Sequence, residues 1–263
     1  MLDRTEDELI EYNKKEDSKV YQMFQVLATI TAVSRREVLK LVKEFYADYG
    51  TDGVITYKEA TKYMETGNGT RRKRLLVLYS AINDVFSLLG DRTQIKFEAD
   101  INEIIEDKLE FLSDHLTDKE KQKLANFKWG IDDLIWTTRL ENDLKKFMLS
   151  IQNEIKVHIT SQRKDKELEE MLNKKFDSFD RTLERLLATE ATVASVQTAY
   201  SVAKKNGYKY YYWVIKPDAC YTCIGTSGTF PITAYQVGVT APPLHPHCRC
   251  IIRFIKSEND KKV

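Results

Sequence analysis

Cys220-Tyr221-Thr222-Cys223, followed after 21 residues by His245-Pro246-His247-Cys248-Arg249-Cys250, is the stretch that decides how the chain divides. All four cysteines and all five prolines (Pro217, Pro231, Pro242, Pro243, Pro246) fall between positions 217 and 250. The first 216 residues contain no proline. Proline removes a backbone donor and clashes with the preceding helical turn, so its absence over that length favours long helices. Charge divides in the same place. Residues 201–263 hold nine Lys/Arg and three Asp/Glu, a net of +6, against −5 for residues 1–200. Composition therefore predicts an α+β chain with a mostly α-helical body over 1–206. A small antiparallel β module stabilised by zinc is expected over 207–257, and a flexible tail over 258–263.

Helix starts in the body are marked by capping boxes. Ser34-Arg35-Arg36-Glu37 and Thr117-Asp118-Lys119-Glu120 each place a hydroxyl ahead of a Glu three residues on. Breaks are expected at Asp48–Gly53, Thr66–Thr70, Gly90–Asp91 and near Gly130, where glycine relaxes the backbone. The resulting helices run over 5–32, 35–47, 57–65, 71–89, 94–114, 118–127, 131–160, 166–175 and 179–205. In the seventh, Leu144, Phe147, Met148, Ile151 and Ile155 recur at three- and four-residue steps and form one apolar face.

In the last helix, Phe179, Leu183, Leu186, Glu190, Val193, Gln197 and Tyr200 follow a strict 4-3 alternation, which sets Glu190 on the apolar stripe. A carboxylate there is either solvated at the edge of a rotating stripe or buried against a cation. The second case predicts a structural clasp from Glu190 to the C-terminal module, with Arg249 or Arg253 as its partner.

Beyond Gly207 the composition becomes that of a strand, from Tyr208 to Ile215, and Pro217-Asp218 turns the chain into the cysteines. Ile251-Ile252-Arg253-Phe254-Ile255 forms a second strand, and the two are expected to pair antiparallel. Two thiols two residues apart fit one tight turn, and a distant second turn can complete a tetrahedron. Zinc suits mixed thiolate and imidazole ligands. The expected set is Cys220, Cys223, His245 and Cys248, with Cys250 as the alternate; two disulfides or plain buried thiols are the competing explanations. A structural ion is favoured over a catalytic one because four protein ligands leave no open position. His158 continues an apolar helical face and is expected to be a core residue, and His115 a surface one.

Composition bounds the function classes. At 42% hydrophobic the chain can bury a sizeable core, and no apolar run is long enough for a membrane segment. The opening residues are charged where a secretory signal would be apolar. A net charge of +1 does not by itself demand a nucleic-acid partner.

Three motifs carry a family resemblance: Ala188-Thr189-Glu190; Trp213 through Asp218-Ala219-Cys220 with Cys223; and Pro242-Pro243-Leu244-His245-Pro246-His247-Cys248-Arg249-Cys250. Over about residues 185–255 the chain resembles the phage minor head, or head-morphogenesis, proteins, the Mu F-like family. Trp136 and Arg139 are the one further suggestive stretch. In that family the position of His247 is often Asn and the last motif cysteine varies, which supports His245 and Cys248 as ligands. The resemblance implies a structural, non-enzymatic minor capsid protein of the virion, present in several copies. It would be assembled in the host cytoplasm at the portal vertex and sit in the capsid interior. Its implied partners are the portal protein, capsid or scaffold proteins and the packaged DNA. Some relatives carry an effector domain after the motif; here 13 residues follow Cys250, too few for one.

The alternative is a zinc-supported nuclease with His245 or His247 as general base. It lacks nearby acidic ligands, since Asp218 is the only acidic residue between 191 and 257. A zinc-ribbon regulator is disfavoured by the absence of an evident recognition helix.

Overall fold

The computed structural model describes residues 4–67, 69–130, 132–215, 219–257 and 260. The chain is mostly helical with a small antiparallel sheet, as the composition implies. The helices are α1 (Glu6–Tyr49), α2 (Tyr57–Ala60), α3 (Arg74–Leu112), α4 (Asp118–Ala125), α5 (Trp136–Thr160), α6 (Asp165–Lys205) and α7 (Tyr221–Thr226). The strands are β1 (Tyr63–Glu65), β2 (Arg71–Lys73), β3 (Tyr210–Val214), β4 (Thr229–Pro231) and β5 (Ile251–Ile255). None of the described helices is long and apolar enough to cross a membrane.

Several expected breaks are absent. Helix α1 runs through Ser34, because Leu27, Thr31, Ser34, Val38 and Val42 all lie on its buried stripe. A buried face spends the hydroxyl on packing, so tertiary structure overrides the local capping signal. Helix α3 likewise passes through Gly90, which costs about 1 kcal/mol relative to alanine. The adjacent burial of Phe86 and Leu89 outweighs that cost. Helix α6 is continuous across 176–178 because Phe176 and Phe179 both pack on Phe147, with ring centroids 4.9 and 4.2 Å away. On α5, which starts at Trp136 and not at 131, Phe147, Ile151 and Ile155 are buried with Leu144 and Met148 at the edge. The Thr117 box forms as expected, with Thr117 accepting from the Glu120 amide and Glu120 reaching back.

Where helices 57–65 and 71–89 were expected, α2 stops after one turn and β1 pairs antiparallel with β2, Met64 opposite Arg72. Thr66 and Thr70 close that hairpin (Thr66 N–H to Thr70 carbonyl, 2.8 Å), and Gly69 takes φ +76°. A glycine-rich stretch that supplies positive φ makes a hairpin turn where a helix would need a continuous register.

Contacts divide the chain into two compact units. The first comprises Met1–Gln25, Ile95–Arg139 and Glu184–Val263; the second comprises Val26–Gln94 and Leu140–Leu183. The module expected over 207–257 therefore lies within the first unit, together with part of the helical body. Its sheet has the order β4-β3-β5, all antiparallel, with Tyr210 opposite Ile255 and Val214 opposite Ile251. The third strand, β4, pairs Tyr212 with Thr229. Tyr212, Val214, Ile251 and Ile255 pack with Leu9 of α1. The turn expected at Pro217-Asp218 lies outside the described residues, as does the tail over 258–263 apart from Asp260.

Candidate metal centre

Within the first unit, every residue of α6 from Leu186 to Ala199 is buried. That stretch includes Thr189, Glu190, Thr192, Ser195, Gln197 and Thr198. Polar groups are tolerated there only if they find partners. Thr189, Thr192 and Thr198 reach the carbonyls four residues back, at 2.6, 3.0 and 2.7 Å. Two of these hydroxyls also hold the segment that carries the second ligand pair. Thr189 Oγ1 accepts from the His247 amide at 3.1 Å, and Thr192 Oγ1 lies 2.9 Å from the Cys248 carbonyl. Sequence reasoning missed both threonines as supports; their position on either side of Glu190 in a fully buried stretch was the available signal.

The first ligand pair sits at the start of α7. Cys220 is its N-cap, and its Sγ accepts from the Cys223 amide at 3.5 Å. Cys223 is completely buried. The opposing turn is closed by the Cys248 amide on the His245 carbonyl at 3.1 Å and runs directly into β5. His245 Nδ1 lies 2.8 Å from the Pro246 carbonyl and donates to it, which leaves Nε2 as the free lone pair. That Nε2 is 3.0 Å from Cys220 Sγ and 3.4 Å from Cys223 Sγ, and Cys223 Sγ is 3.6 Å from Cys248 Sγ. Bonds of about 2.0–2.3 Å to one ion set tetrahedral edges of about 3.5–3.8 Å. The Cys223–His245 and Cys223–Cys248 separations lie near those edges, and the Cys220–His245 separation is shorter.

Two groups of ligand atoms converge, Cys220 with Cys223 and His245, and Cys223 with Cys248 and Cys250. Each can hold a metal ion, and Cys223 belongs to both. Of the expected ligands, Cys220, Cys223 and His245 converge in one triad, while Cys248 converges with Cys223 and with Cys250, the expected alternate, in the other; Cys223 joins the two. Their ionisation is mutually constrained. The hydrogen bond from the Cys250 thiol holds Cys248 down to about 5, and the Cys223 amide lowers Cys220 to about 7. Burial pushes Cys223 up to about 12, and the neighbouring Cys248 thiolate drives Cys250 well above its ordinary value. A cation would remove this antagonism, because it stabilises every thiolate at once.

His247 is exposed and belongs to neither group. Its backbone explains it better than its imidazole does. It sits at φ +61°, a left-handed conformation in which Asn, Asp and His are several-fold enriched. We expect His247→Asn to leave metal content and melting temperature unchanged. His247→Val should cost about 1–2 kcal/mol through the positive φ alone. Metal analysis and thermal unfolding of the two variants check both outcomes; metal loss in His247→Asn would make His247 a ligand.

The clasp takes a different form from the expected one. Glu190 is buried and paired, but its partners are Arg139 (Nη1 to Oε1, 2.9 Å) and the Trp129 indole N–H (3.0 Å). Arg139 also donates to the Trp129 carbonyl and to Asp132 Oδ1, both at 2.6 Å, and lies over the Trp129 ring. Arg249 is drawn instead to Asp17, and Arg253 donates to the Tyr212 hydroxyl at 3.1 Å. Glu190 therefore ties α6 to the segment entering α5. Trp136, at the start of that helix, donates to the Ala125 carbonyl at 2.9 Å and stacks on Phe97. His158 is completely buried on α5, with Nδ1 3.4 Å from Glu154, and His115 is exposed.

Fold and site together define a helical protein carrying a small antiparallel sheet and a Cys/His cluster able to hold a metal ion. No family model, no curated protein and no solved structure matches the chain.

Proposed function

We propose that this chain is a phage minor head protein of the head-morphogenesis type, a structural protein that acts at the portal vertex during capsid assembly. In this proposal zinc binds the Cys220, Cys223, His245 and Cys248 cluster and fixes the β module. The module then contacts portal, capsid or scaffold proteins, with several copies retained in the virion beside the packaged DNA. The observation that carries it is the meeting of Cys220-x-x-Cys223 with His245 and Cys248 at 3.0–3.6 Å. The Ala188-Thr189-Glu190 motif supports the same turn, since Thr189 holds the His247 amide. The described residues of the three motifs that suggest the family thus lie in the first unit.

Zinc fits because the donors are sulfur and imidazole and the ion needs no redox partner. The residues it would engage are those four, with Cys250 within reach of Cys223 and Cys248. When bound, it supplies cross-linking of two chain segments. The chain would act by contact: Thr189 and Thr192 hold the turn, and β3 and β5 join it to the sheet.

Co-expression with a portal protein and a major capsid protein tests the proposal. The tagged chain is expected to sediment with assembled heads and to be lost from them when Cys223 is replaced. A chain that stays out of the particles, yet nicks plasmid with Mg²⁺ or Mn²⁺ in a His247-dependent way, would replace the structural proposal by the nuclease.

A further inference from the structure

We infer that the hairpin formed by β1 and β2 is a nucleic-acid contact that binds the phosphate backbone of a duplex through Arg71, Arg72 and Lys73. The inference goes beyond the head-protein proposal in naming a surface and its ligand class. It stands on the second unit alone, so it survives if that proposal fails.

Between Lys58 and Lys73 the sequence holds five cations against two carboxylates. Arg71, Arg72 and Lys73 are all exposed and, among the described residues, form no ion pair. The local carboxylate Glu59 is already engaged by Lys62 at 2.6 Å and by Arg74. Glu65 stands opposite Arg71 in the strand register and is exposed, so it neutralises the ribbon only in part. The C-terminal region carries a net charge of +6, but several of its cations are already engaged. There Lys205 pairs with Asp114 at 3.1 Å, Arg249 pairs with Asp17 and Arg253 with Tyr212. Lys204, Lys209 and Lys256 are exposed there without an ion pair among the described residues, but Arg71, Arg72 and Lys73 are three such cations in succession on one strand.

Geometry favours phosphates. Alternation along β2 sends Arg71 and Lys73 to one face, about 6.6–6.8 Å apart, and Arg72 to the other. Tyr63 lies opposite Lys73, and its ring stands under the Arg71 guanidinium, 5.9 Å away, which steadies the arginine without neutralising it. A two-stranded ribbon fits the major groove of a duplex, which is about 12 Å wide, and cations on both faces can reach phosphates on both walls. Guanidinium forks match phosphate oxygens two at a time. The tip is open: a side chain added at Gly67 or Gly69 would meet nothing within 4 Å. The turn is built from Thr66, Gly67, Gly69 and Thr70 and so offers no apolar side chain to enter a lipid headgroup layer. Nucleic acid is therefore the partner that fits.

The test is fluorescence anisotropy of the full chain with a short labelled DNA duplex, between 50 and 200 mM salt, a range over which phosphate contacts weaken roughly logarithmically. Wild-type affinity is expected to fall as salt rises. The triple variant Arg71→Ala/Arg72→Ala/Lys73→Ala should reduce the magnitude of the log–log slope by about 2–3 and weaken binding about tenfold or more at the low-salt end. Arg71→Lys/Arg72→Lys keeps the charges and should keep the slope. Lys209→Ala/Lys256→Ala should leave it unchanged. Circular dichroism should show equal helix content throughout, since the replaced side chains are exposed. An unchanged slope in the triple variant, or a slope lost in the C-terminal variant, overturns the inference. So does binding to phosphatidylserine vesicles with the same hairpin dependence and no duplex binding. Capsid incorporation is not read in this assay, so its failure and that of the head-protein proposal are separable.

Discussion

Cys223→Ser is expected to empty the metal centre and unfold the β module, the largest effect of any single replacement in the chain. Cys223 belongs to both groups of converging donors, so no alternative ligand set survives its loss. The other cysteines differ. Loss of Cys250 leaves Cys220, Cys223 and His245 together with Cys248, whereas loss of Cys220 or Cys248 removes one corner of the proposed tetrahedron. Metal analysis of the purified chain should find one zinc per chain in the wild type and in Cys250→Ser. It should find none in Cys223→Ser and less than one per chain in Cys220→Ser or Cys248→Ser, where a three-ligand group remains. A structural zinc contributes on the order of 10 kcal/mol or more to folding, as much as the whole stability of a typical domain. Thermal unfolding followed through Trp213, which lies on β3 and donates to the Thr240 carbonyl at 3.0 Å, should therefore lose its transition in Cys223→Ser and on chelation of the wild type. A folded wild type free of metal, or one with Cys223 and Cys248 oxidised to a disulfide, would sink the zinc assignment and the function built on it.

What could be read beforehand depended on how local its cause was. The paired strands, the Thr117 capping box and the Cys/His cluster each rest on residue types at fixed short spacing, and each is present. Chain breaks were less legible. Ser34 has the chemistry of a cap, yet lies on a stripe with Val38 and Val42 that is buried for the length of α1. Gly90 has the chemistry of a break, yet a side chain there would meet only Leu144, at 3.6 Å, so the helix has no reason to stop. The hairpin at Tyr63–Lys73 was missed because its strands have no alternation of apolar and polar residues. Its evidence was Gly67-Asn68-Gly69, a turn signal that a helical expectation absorbed as a mere break. The spacing leaves Glu190 either solvated or buried, the structure buries it, and periodicity within one helix says nothing about which distant cation faces it. Trp129 and Arg139 are far away in sequence, and Arg249, nearer to the metal motif, had Asp17 as a competing partner.

Arg139→Met is expected to cost about 3–5 kcal/mol, because it removes the cation from a buried carboxylate while keeping an apolar side chain over Trp129. Glu190 is only 4% exposed, and burial pushes it above its ordinary value of 4.5 while the Trp129 indole and Arg139 pull it back. Without Arg139 the indole N–H is the remaining donor, and the nearby Asp132 opposes ionisation further. The folded variant then binds a proton at pH values where the unfolded chain does not. A folded state that holds more protons loses stability as pH rises. The variant should accordingly be most stable below 4.5 and weaken as pH climbs through the raised value for Glu190. Denaturant unfolding across that range measures the slope. The double variant Arg139→Met/Glu190→Gln separates charge from packing: an amide cannot ionise, so it should recover part of the lost stability and abolish the pH dependence. If the double variant is no more stable than Arg139→Met at neutral pH, the cost lies in the contacts of Arg139 with the Trp129 carbonyl and Asp132. Glu190 would then be incidental to the joint between α6 and the segment entering α5.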